Sequence, residues 1–276
     1  MKLNLSKGVT ETDQYKAWKF PGGEIHLKLS ENTMSCLSEN NDIITIITRL
    51  NSSDDIILLM LFVDTLKKDY SDKKINLYLP YMPYQQADRD FGIGECFSLK
   101  TISNLINSMG LNRIFVGMAH SDVTPALLNN CQVIDNSDFI IKVLCELSIP
   151  DENLIICSPD AGSYKLIFKL CEKIKFTGEI ITCSKSRNHI TGDLTMQIPA
   201  CDSNKSVLII DDIALGSRTF LNIRKELKNK NVYLAVSHGI FNENIELLES
   251  NFNKIFTTNS RRDDSISEKI EIIKIF

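Results

Sequence analysis

Val207-Leu208-Ile209-Ile210-Asp211-Asp212-Ile213-Ala214-Leu215-Gly216-Ser217-Arg218-Thr219 is the stretch that decides the fold. It opens with four consecutive β-branched or aliphatic residues, the signature of a strand covered on both faces. Two acids follow, then a short loop containing glycine and serine, then the amphipathic run Thr219 to Asn229. A buried strand leading through a polar loop into a helix is one turn of a βαβ unit. In sheets built from such units, ligands bind just beyond the carboxyl ends of the strands.

Working outward, the same alternation recurs along the chain. Strands are predicted at Asp42–Thr48, Ile75–Pro80, Arg113–Ala119, Asn153–Pro159, Glu179–Ser184, Ser206–Asp211, Val232–Ser237 and Lys254–Asn259. Helical periodicity falls near 53–70, 98–109, 137–147, 162–176, 218–229 and 243–250. The fold class is therefore α/β, with mainly parallel sheets flanked by helices. The order reads as two consecutive units, 1–149 and 150–276, parted near Ser148-Ile149-Pro150-Asp151.

Bulk properties restrict the function. The chain has 276 residues, 43% of them hydrophobic, enough for sizeable cores without disulfides or a structural metal. A formal net charge of −4 builds no basic stripe, so DNA and RNA are not expected partners. Eight cysteines include no C-x-x-C pair, which removes zinc-ribbon and thioredoxin readings. Several sit in apolar runs and read as small buried hydrophobes. The N-terminus has no signal-peptide pattern, and the longest apolar run, Ile56–Val63, is too short to span a bilayer. A reducing cytoplasmic setting is expected, with no membrane association.

Polar clusters follow the strand ends. Asp211 and Asp212 could accept hydrogen bonds from vicinal ribose hydroxyls, and residues 215–219 could offer a phosphate backbone N–H groups and hydroxyls. An ordinary βα loop with Ser217 as N-cap is the plain alternative. His120 and Asp160 each follow a strand; together they could hold Mg²⁺, or His120 could donate to a phosphate. A structural histidine and a Pro-Asp-Ala-Gly turn explain the pair equally simply. Lys185 and Arg187, two apart, would share one side of an extended segment and could grip a transferring phosphoryl group, or be a solvated basic turn. No G-x-x-x-x-G-K-S/T occurs, and GIGECF (Gly92–Phe97) is no dinucleotide fingerprint.

Read together, these segments resemble the ribose-phosphate pyrophosphokinase (PRPP synthetase) family. Phe20-Pro21-Gly22-Gly23-Glu24 is similar to that family's F-x-D-G-E. Asp54-Asp55 with Leu58–Leu66 resembles its N-D-x-L-M-E-L-L helix. Leu79–Arg89 resembles P-Y-F-x-Y-x-R-Q-D-R, and Gly117–Asp122 places His120 on the family histidine. Ser158-Pro159-Asp160-Ala161-Gly162 resembles S-P-D-x-G, Lys185 and Arg187 the K-x-R loop, and Asp211-Asp212 the acidic pair of the ribose-phosphate motif. Ser237–Phe241 and Thr258–Ser260 resemble T-H-G-x-F and T-N-S/T.

The resemblance, from Phe20 to Ser260, implies two tandem phosphoribosyltransferase-like domains and a Mg²⁺-dependent transfer of diphosphate from ATP to a ribose 1-hydroxyl. It implies that Asp211 and Asp212 hold the ribose and Leu215, Gly216, Ser217, Arg218 and Thr219 its 5-phosphate. It further implies that His120 and Asp160 fix Mg²⁺ and that Lys185 and Arg187 stabilise the transferring group. Phe20, Glu24, Gln86, Asp88 and Arg89 would serve ATP, and a homo-oligomer, dimer or hexamer, is expected.

The chain departs from the family at four places. Gln86 replaces an arginine, Gly22 and Met118 replace aspartates, and Leu215–Thr219 replaces D-T-G-G-T. A non-catalytic regulatory paralogue is one reading of these changes; a phosphoribosyltransferase using PRPP is a more distant one. A changed acceptor is another: losing an acid at 215 and gaining Arg218 suits a ribose phosphate extended by a second phosphate, as in ADP-ribose.

Overall fold

The computed structural model describes residues 1–39, 42–187 and 194–276, with 185–187, 194 and 195 described as backbone only. The chain divides into two compact units, Met1–Asp135 and Asn136–Phe276.

In chain order the first unit runs β1 (Lys2–Asn4), β2 (Tyr15–Lys19), β3 (Ile25–Leu29), α1 (Glu31–Ser38), β4 (Ile43–Ile47), α2 (Ser53–Asp69), β5 (Lys74–Leu79), α3 (Ser98–Ser108), β6 (Arg113–Gly117), α4 (Val123–Leu127) and β7 (Cys131–Ile134). Its sheet has the order β1-β4-β5-β6-β7, every pair parallel. Strands β2 and β3 form a separate antiparallel hairpin.

The 17-residue α2 shows how locally the sequence sets an element. Ser52 and Asp55 close a capping box, acids occupy the first turn and Lys67 and Lys68 the last, so both ends of the macrodipole are answered. Its apolar positions Ile56, Leu59, Phe62, Val63 and Leu66 share a face at helical spacing and are buried. They join Leu3, Ile44, Ile46, Leu77 and Leu79 in one core.

The second unit runs α5 (Ser137–Leu147), β8 (Leu154–Ser158), α6 (Ala161–Ile174), β9 (Glu179–Thr182), β10 (Ser184–Arg187), β11 (Leu194–Gln197), β12 (Ser206–Ala214), α7 (Arg218–Glu226), β13 (Val232–Gly239), α8 (Ile245–Asn251), β14 (Lys254–Thr258) and β15 (Ile270–Ile273). Six strands form a wholly parallel sheet in the order β15-β14-β13-β12-β8-β9. Alternate residues serve its two faces. Ile155, Cys157, Val207 and Ile209 fill one core, and Leu154, Ile156, Leu208 and Ile210 fill the other.

Two differences from the sequence reading have physical causes. Helix α5, assigned to the first unit by a boundary near Pro150, packs with the second, because Phe139, Ile140 and Val143 are buried against Leu154, Ile156 and Leu208. Strand β12 does not stop at Asp211 but continues to Ala214, since β13 runs alongside it and pairs Asp211 with Val236 and Ala214 with Gly239. Among the described residues, no helix is long and apolar enough to cross a membrane.

Candidate functional site

In the second unit the acids sit where β12 leaves the core. Asp211 and Asp212 are partly buried. Each side chain accepts the next residue's backbone N–H, from Asp212 and Ile213, both at 2.9 Å. Burial, the neighbouring Asp212 and the charge of Asp160 push the Asp211 carboxyl well above the usual carboxylate range. Three acids thus share one field at the carboxyl end of the sheet. Hydroxyl donors or a cation placed there would relieve the repulsion.

Asp160 is the N-cap of α6. Its Oδ1 accepts from the Ser163 N–H at 3.0 Å and the Ser163 hydroxyl at 3.1 Å. The turn chemistry read from Pro-Asp-Ala-Gly is therefore present, and it holds the carboxylate within electrostatic reach of Asp211.

The loop from Leu215 opens α7. Ser217 occupies the N-cap position, yet its side chain makes no capping hydrogen bond. The hydroxyl cap expected in the plain reading is absent, so the Ser217 hydroxyl does not occupy the first-turn N–H groups of α7. A Cβ added at Gly216 would meet nothing within 4 Å, so the space above the loop is open. Leu215 and Arg218 are exposed, and Arg218 has no carboxylate partner among the described residues. Thr219 lies partly buried in the first turn. This is an uncapped, positively polarised helix end beside an acidic pair.

Lys185 and Arg187 fall on β10, an extended segment paired antiparallel with β11 (Lys185 opposite Met196, Arg187 opposite Leu194). Their side chains lie outside the described residues.

In the first unit, His120 is exposed on the turn after β6, and its backbone N–H donates to Gln85 Oε1 at 3.0 Å. Gln85 is fully buried on the loop after β5, so the two strand-end loops are tied together. Met118, where the family has an aspartate, adopts φ 27° and places backbone strain in the turn that presents His120. Asp88 is buried. Burial works to raise its pKa, but Ser121, Arg89 and the His120 imidazole outweigh burial and hold the carboxyl below its ordinary value. Arg89 Nε donates to Asp88 Oδ1 at 3.1 Å while its guanidinium lies 5.9 Å from the Phe91 ring centroid. Gln86 is exposed.

Phe20 and Glu24 close the β2–β3 hairpin. The Phe20 N–H donates to the Glu24 carbonyl and the Gly23 N–H to the Phe20 carbonyl, each at 2.8 Å, with Gly23 at φ 95° supplying the turn. Phe20 is 46% exposed, 5.4 Å from the His26 ring and 6.1 Å from Trp18. Sequence reading missed Trp18 and His26 as parts of this aromatic tip. The alternation in Tyr15–Lys19 and Ile25–Leu29, which pairs them across the hairpin, could have found both. Gly22 has a local reason. A Cβ there would lie 2.5 Å from Glu24 Oε2, so the aspartate common in the family would displace the Glu24 carboxylate.

His120 thus belongs to one unit and Asp160 to the other. Among the described residues no three His, Cys, Asp or Glu side chains form a metal-holding cluster.

Comparison with known proteins agrees with this layout. Residues 6–110 match the model of the N-terminal domain of ribose phosphate pyrophosphokinase. The chain is 26% identical over 265 residues to a ribose-phosphate pyrophosphokinase of Sulfurisphaera tokodaii, covering 93% of this chain and 87% of the relative. It is 27% identical over 253 residues to that of Mycoplasma genitalium, covering 89% and 71%. The phosphoribosylpyrophosphate synthetase structure from Mycobacterium smegmatis superposes with a TM-score of 0.77 at 18% identity, over 96% of this chain and 87% of that one. Along nearly its whole length the chain is thus similar to ribose-phosphate pyrophosphokinases, and it shares the fold of a phosphoribosylpyrophosphate synthetase.

Proposed function

We propose that the protein transfers the diphosphate of ATP to the 1-hydroxyl of a ribose 5-phosphate group and releases AMP. The observation that carries this reading is the pairing, within one βα connection, of two acids on β12 with the uncapped start of α7. Acids suit ribose hydroxyls and bare N–H groups suit a phosphate, so this connection reads as a ribose-phosphate cradle.

In this mechanism Asp211 and Asp212 accept hydrogen bonds from the ribose hydroxyls and orient the 1-oxygen. That oxygen attacks the β-phosphorus of ATP, the bond from the β-phosphorus to the α–β bridging oxygen breaks, and the proton of the 1-hydroxyl is lost. Lys185 and Arg187 on β10 answer the charge on the transferring group. Phe20 stacks on adenine and Arg89, braced by Asp88, faces the nucleotide. In an oligomer, expected as a dimer or hexamer, the β2–β3 hairpin with Phe20 and Glu24 could serve a neighbouring subunit's nucleotide.

The carboxylates of Asp160, Asp211 and Asp212, which act on one another, are the oxygen ligands that Mg²⁺ takes when phosphates supply the rest. Asp160 and His120 would hold it, and when bound it would supply charge neutralisation on the phosphate oxygens.

Arg218 favours an acceptor whose 5-phosphate continues into a second phosphate, with ADP-ribose as the concrete case. An exposed guanidinium at the first position of α7, with no carboxylate partner among the described residues, supports this reading. The test supplies ATP, Mg²⁺ and either ribose 5-phosphate or ADP-ribose, following AMP release and product mass. Asp212→Ala excludes a contaminating synthetase. AMP with ADP-ribose alone supports the extended acceptor, and better turnover of ribose 5-phosphate refutes it. No AMP with either acceptor favours the regulatory-paralogue reading.

A further inference from the structure

Two segments with a clear sequence pattern, residues 237–241 and 258–260, have no role in the reaction proposed above. The fold brings them together at the carboxyl end of the second unit's sheet. Strand β13 pairs with β14 only as far as Val236, opposite Thr257. With β12 it runs on to Gly239, opposite Ala214. The last three residues of β13 therefore have a backbone ladder on one side only.

On the β14 side, side chains take the place of the ladder. Thr258 Oγ1 and Ser260 Oγ donate to the Ser237 carbonyl at 2.5 and 3.2 Å, and the Gly239 N–H donates to Thr257 Oγ1 at 2.8 Å. His238 Nδ1 lies 2.9 Å from Ser260 Oγ. The Ser260 hydroxyl has one proton, and giving it to the Ser237 carbonyl leaves Nδ1 as donor of the other bond. His238 is 1% exposed and Ser260 fully buried, so water cannot stand in for either partner.

Beyond Gly239 the chain turns back onto the head of the β12–α7 connection. The N–H groups of Ile240 and Phe241 donate to the Ala214 carbonyl at 2.9 and 3.0 Å, and that of Asn242 donates to the Leu215 carbonyl at 2.9 Å. This turn does not support itself. Phe241 adopts φ 50°, an unfavourable conformation for an aromatic residue, and its ring closes over Gly239, 2.2 Å from where a Cβ would stand.

A buried histidine that closes off a sheet is the plain account, and it covers the bond to Ser260. It does not cover what that bond holds. The rungs from Asp211 opposite Val236 to Ala214 opposite Gly239 keep β12 extended past its acids. The turn fixes the two carbonyls at which loop 215–219 begins. Freedom at the end of β13 would pass directly to the acids and to the loop.

We propose that His238, acting through Ser260, is a positioning residue for the ribose-phosphate group. It holds the end of β13 so that the acids of β12 and loop 215–219 are arranged before the ligand arrives. The inference rests on the reading of this connection as a ribose-phosphate cradle.

Calorimetry on the full chain with Mg²⁺ and without ATP tests it, titrating ribose 5-phosphate in one arm and ADP-ribose in the other. In the arm that the parent binds, Ser260→Ala and His238→Leu weaken binding about tenfold. His238→Asn, whose amide can donate to Ser260 as Nδ1 does, stays within about twofold of the parent. Amide exchange over residues 240–242, read by mass spectrometry, quickens about fivefold in the two weak binders, while that of Leu154–Ser158 is unchanged. Parent-like binding by Ser260→Ala and His238→Leu overturns the proposal and leaves the cradle standing. A parent that binds neither ligand removes the cradle and the positioning role with it. His238→Asn as weak as His238→Leu refutes the hydrogen-bond route. Faster exchange at Leu154–Ser158 as well would make His238 a general stabiliser and also overturns the proposal. Where His238→Leu fails to fold, Ser260→Ala, which removes one buried oxygen, decides the matter alone.

Discussion

Asp160 has two roles that one pair of substitutions separates. As N-cap of α6 its Oδ1 takes both the Ser163 N–H and hydroxyl, while as a charge it burdens Asp211. Asp160→Ala removes the cap, about 1 kcal/mol, and the favourable charge at the helix start, about 0.5 kcal/mol. Relief of Asp211 returns a fraction of this, so the net loss is about 1 kcal/mol. The second unit, Asn136–Phe276, holds about 140 residues and loses about 3 °C of melting temperature per kcal/mol. Asp160→Ala is thus expected to melt about 3 °C below the parent. Asn caps as well as Asp, so Asp160→Asn should melt within about 1 °C of the parent. Circular dichroism melting at pH 7 reads both. Equal losses in the two variants would refute the hydrogen-bond account in favour of charge. No loss in Asp160→Ala would remove the cap altogether. If the proposed metal role holds, both variants lose AMP release, although only one loses stability.

Four further outcomes are expected. The Asp211 carboxyl is raised by burial and by its acidic neighbours, so its contribution to stability is full below the unfolded pKa and is lost as pH rises through the folded one. Asp211→Asn should therefore melt higher than the parent at pH 8 and equal to it at pH 3, and a variant that melts lower at pH 8 contradicts this electrostatics. Phe20→Ala should raise KM for ATP about tenfold through lost stacking, with no change in melting, because the ring is 46% exposed; an unchanged KM removes the hairpin from the nucleotide site. Gly239→Ala would bring a Cβ to 2.2 Å from the Phe241 ring and 2.7 Å from Thr257 Oγ1, costing about 2 kcal/mol on thermal melting. Gln85→Leu removes the acceptor of the His120 N–H and should lower the affinity for Mg²⁺ in steady-state titrations more than it lowers the melting temperature; the reverse ranking would make Gln85 purely structural.

The β-branched runs declared eight of the parallel strands, because a strand buried on both faces needs apolar residues without interruption. The edge strands β1, β7 and β15 were missed: each spans only three or four residues, too short for a run to register. The hairpins escaped for a related reason. Tyr15–Lys19, Ile25–Leu29 and Leu194–Gln197 mix polar and apolar residues, and Ser184–Arg187 is polar throughout, so none shows a continuous apolar run. At the site, composition announced acids and donors at strand ends, and the structure puts Asp160, Asp211 and Asp212 in one field. It could not announce that Ser217 leaves α7 uncapped, since Ser at an N-cap ordinarily bonds. Nor could it reveal Gln85, whose only cue is a polar residue that tertiary packing happens to bury.

The placement of α5 bears on how the two halves can be separated. Phe139, Ile140 and Val143 fill the core shared with Leu154, Ile156 and Leu208, although they precede Pro150. A fragment cut at the proline would keep α6 on that flank but lose α5, leaving part of the sheet's apolar face bare and prone to clump. One cut after Asp135 would keep its own covering helix, and so would travel as a self-sufficient module in gene fusion or limited digestion.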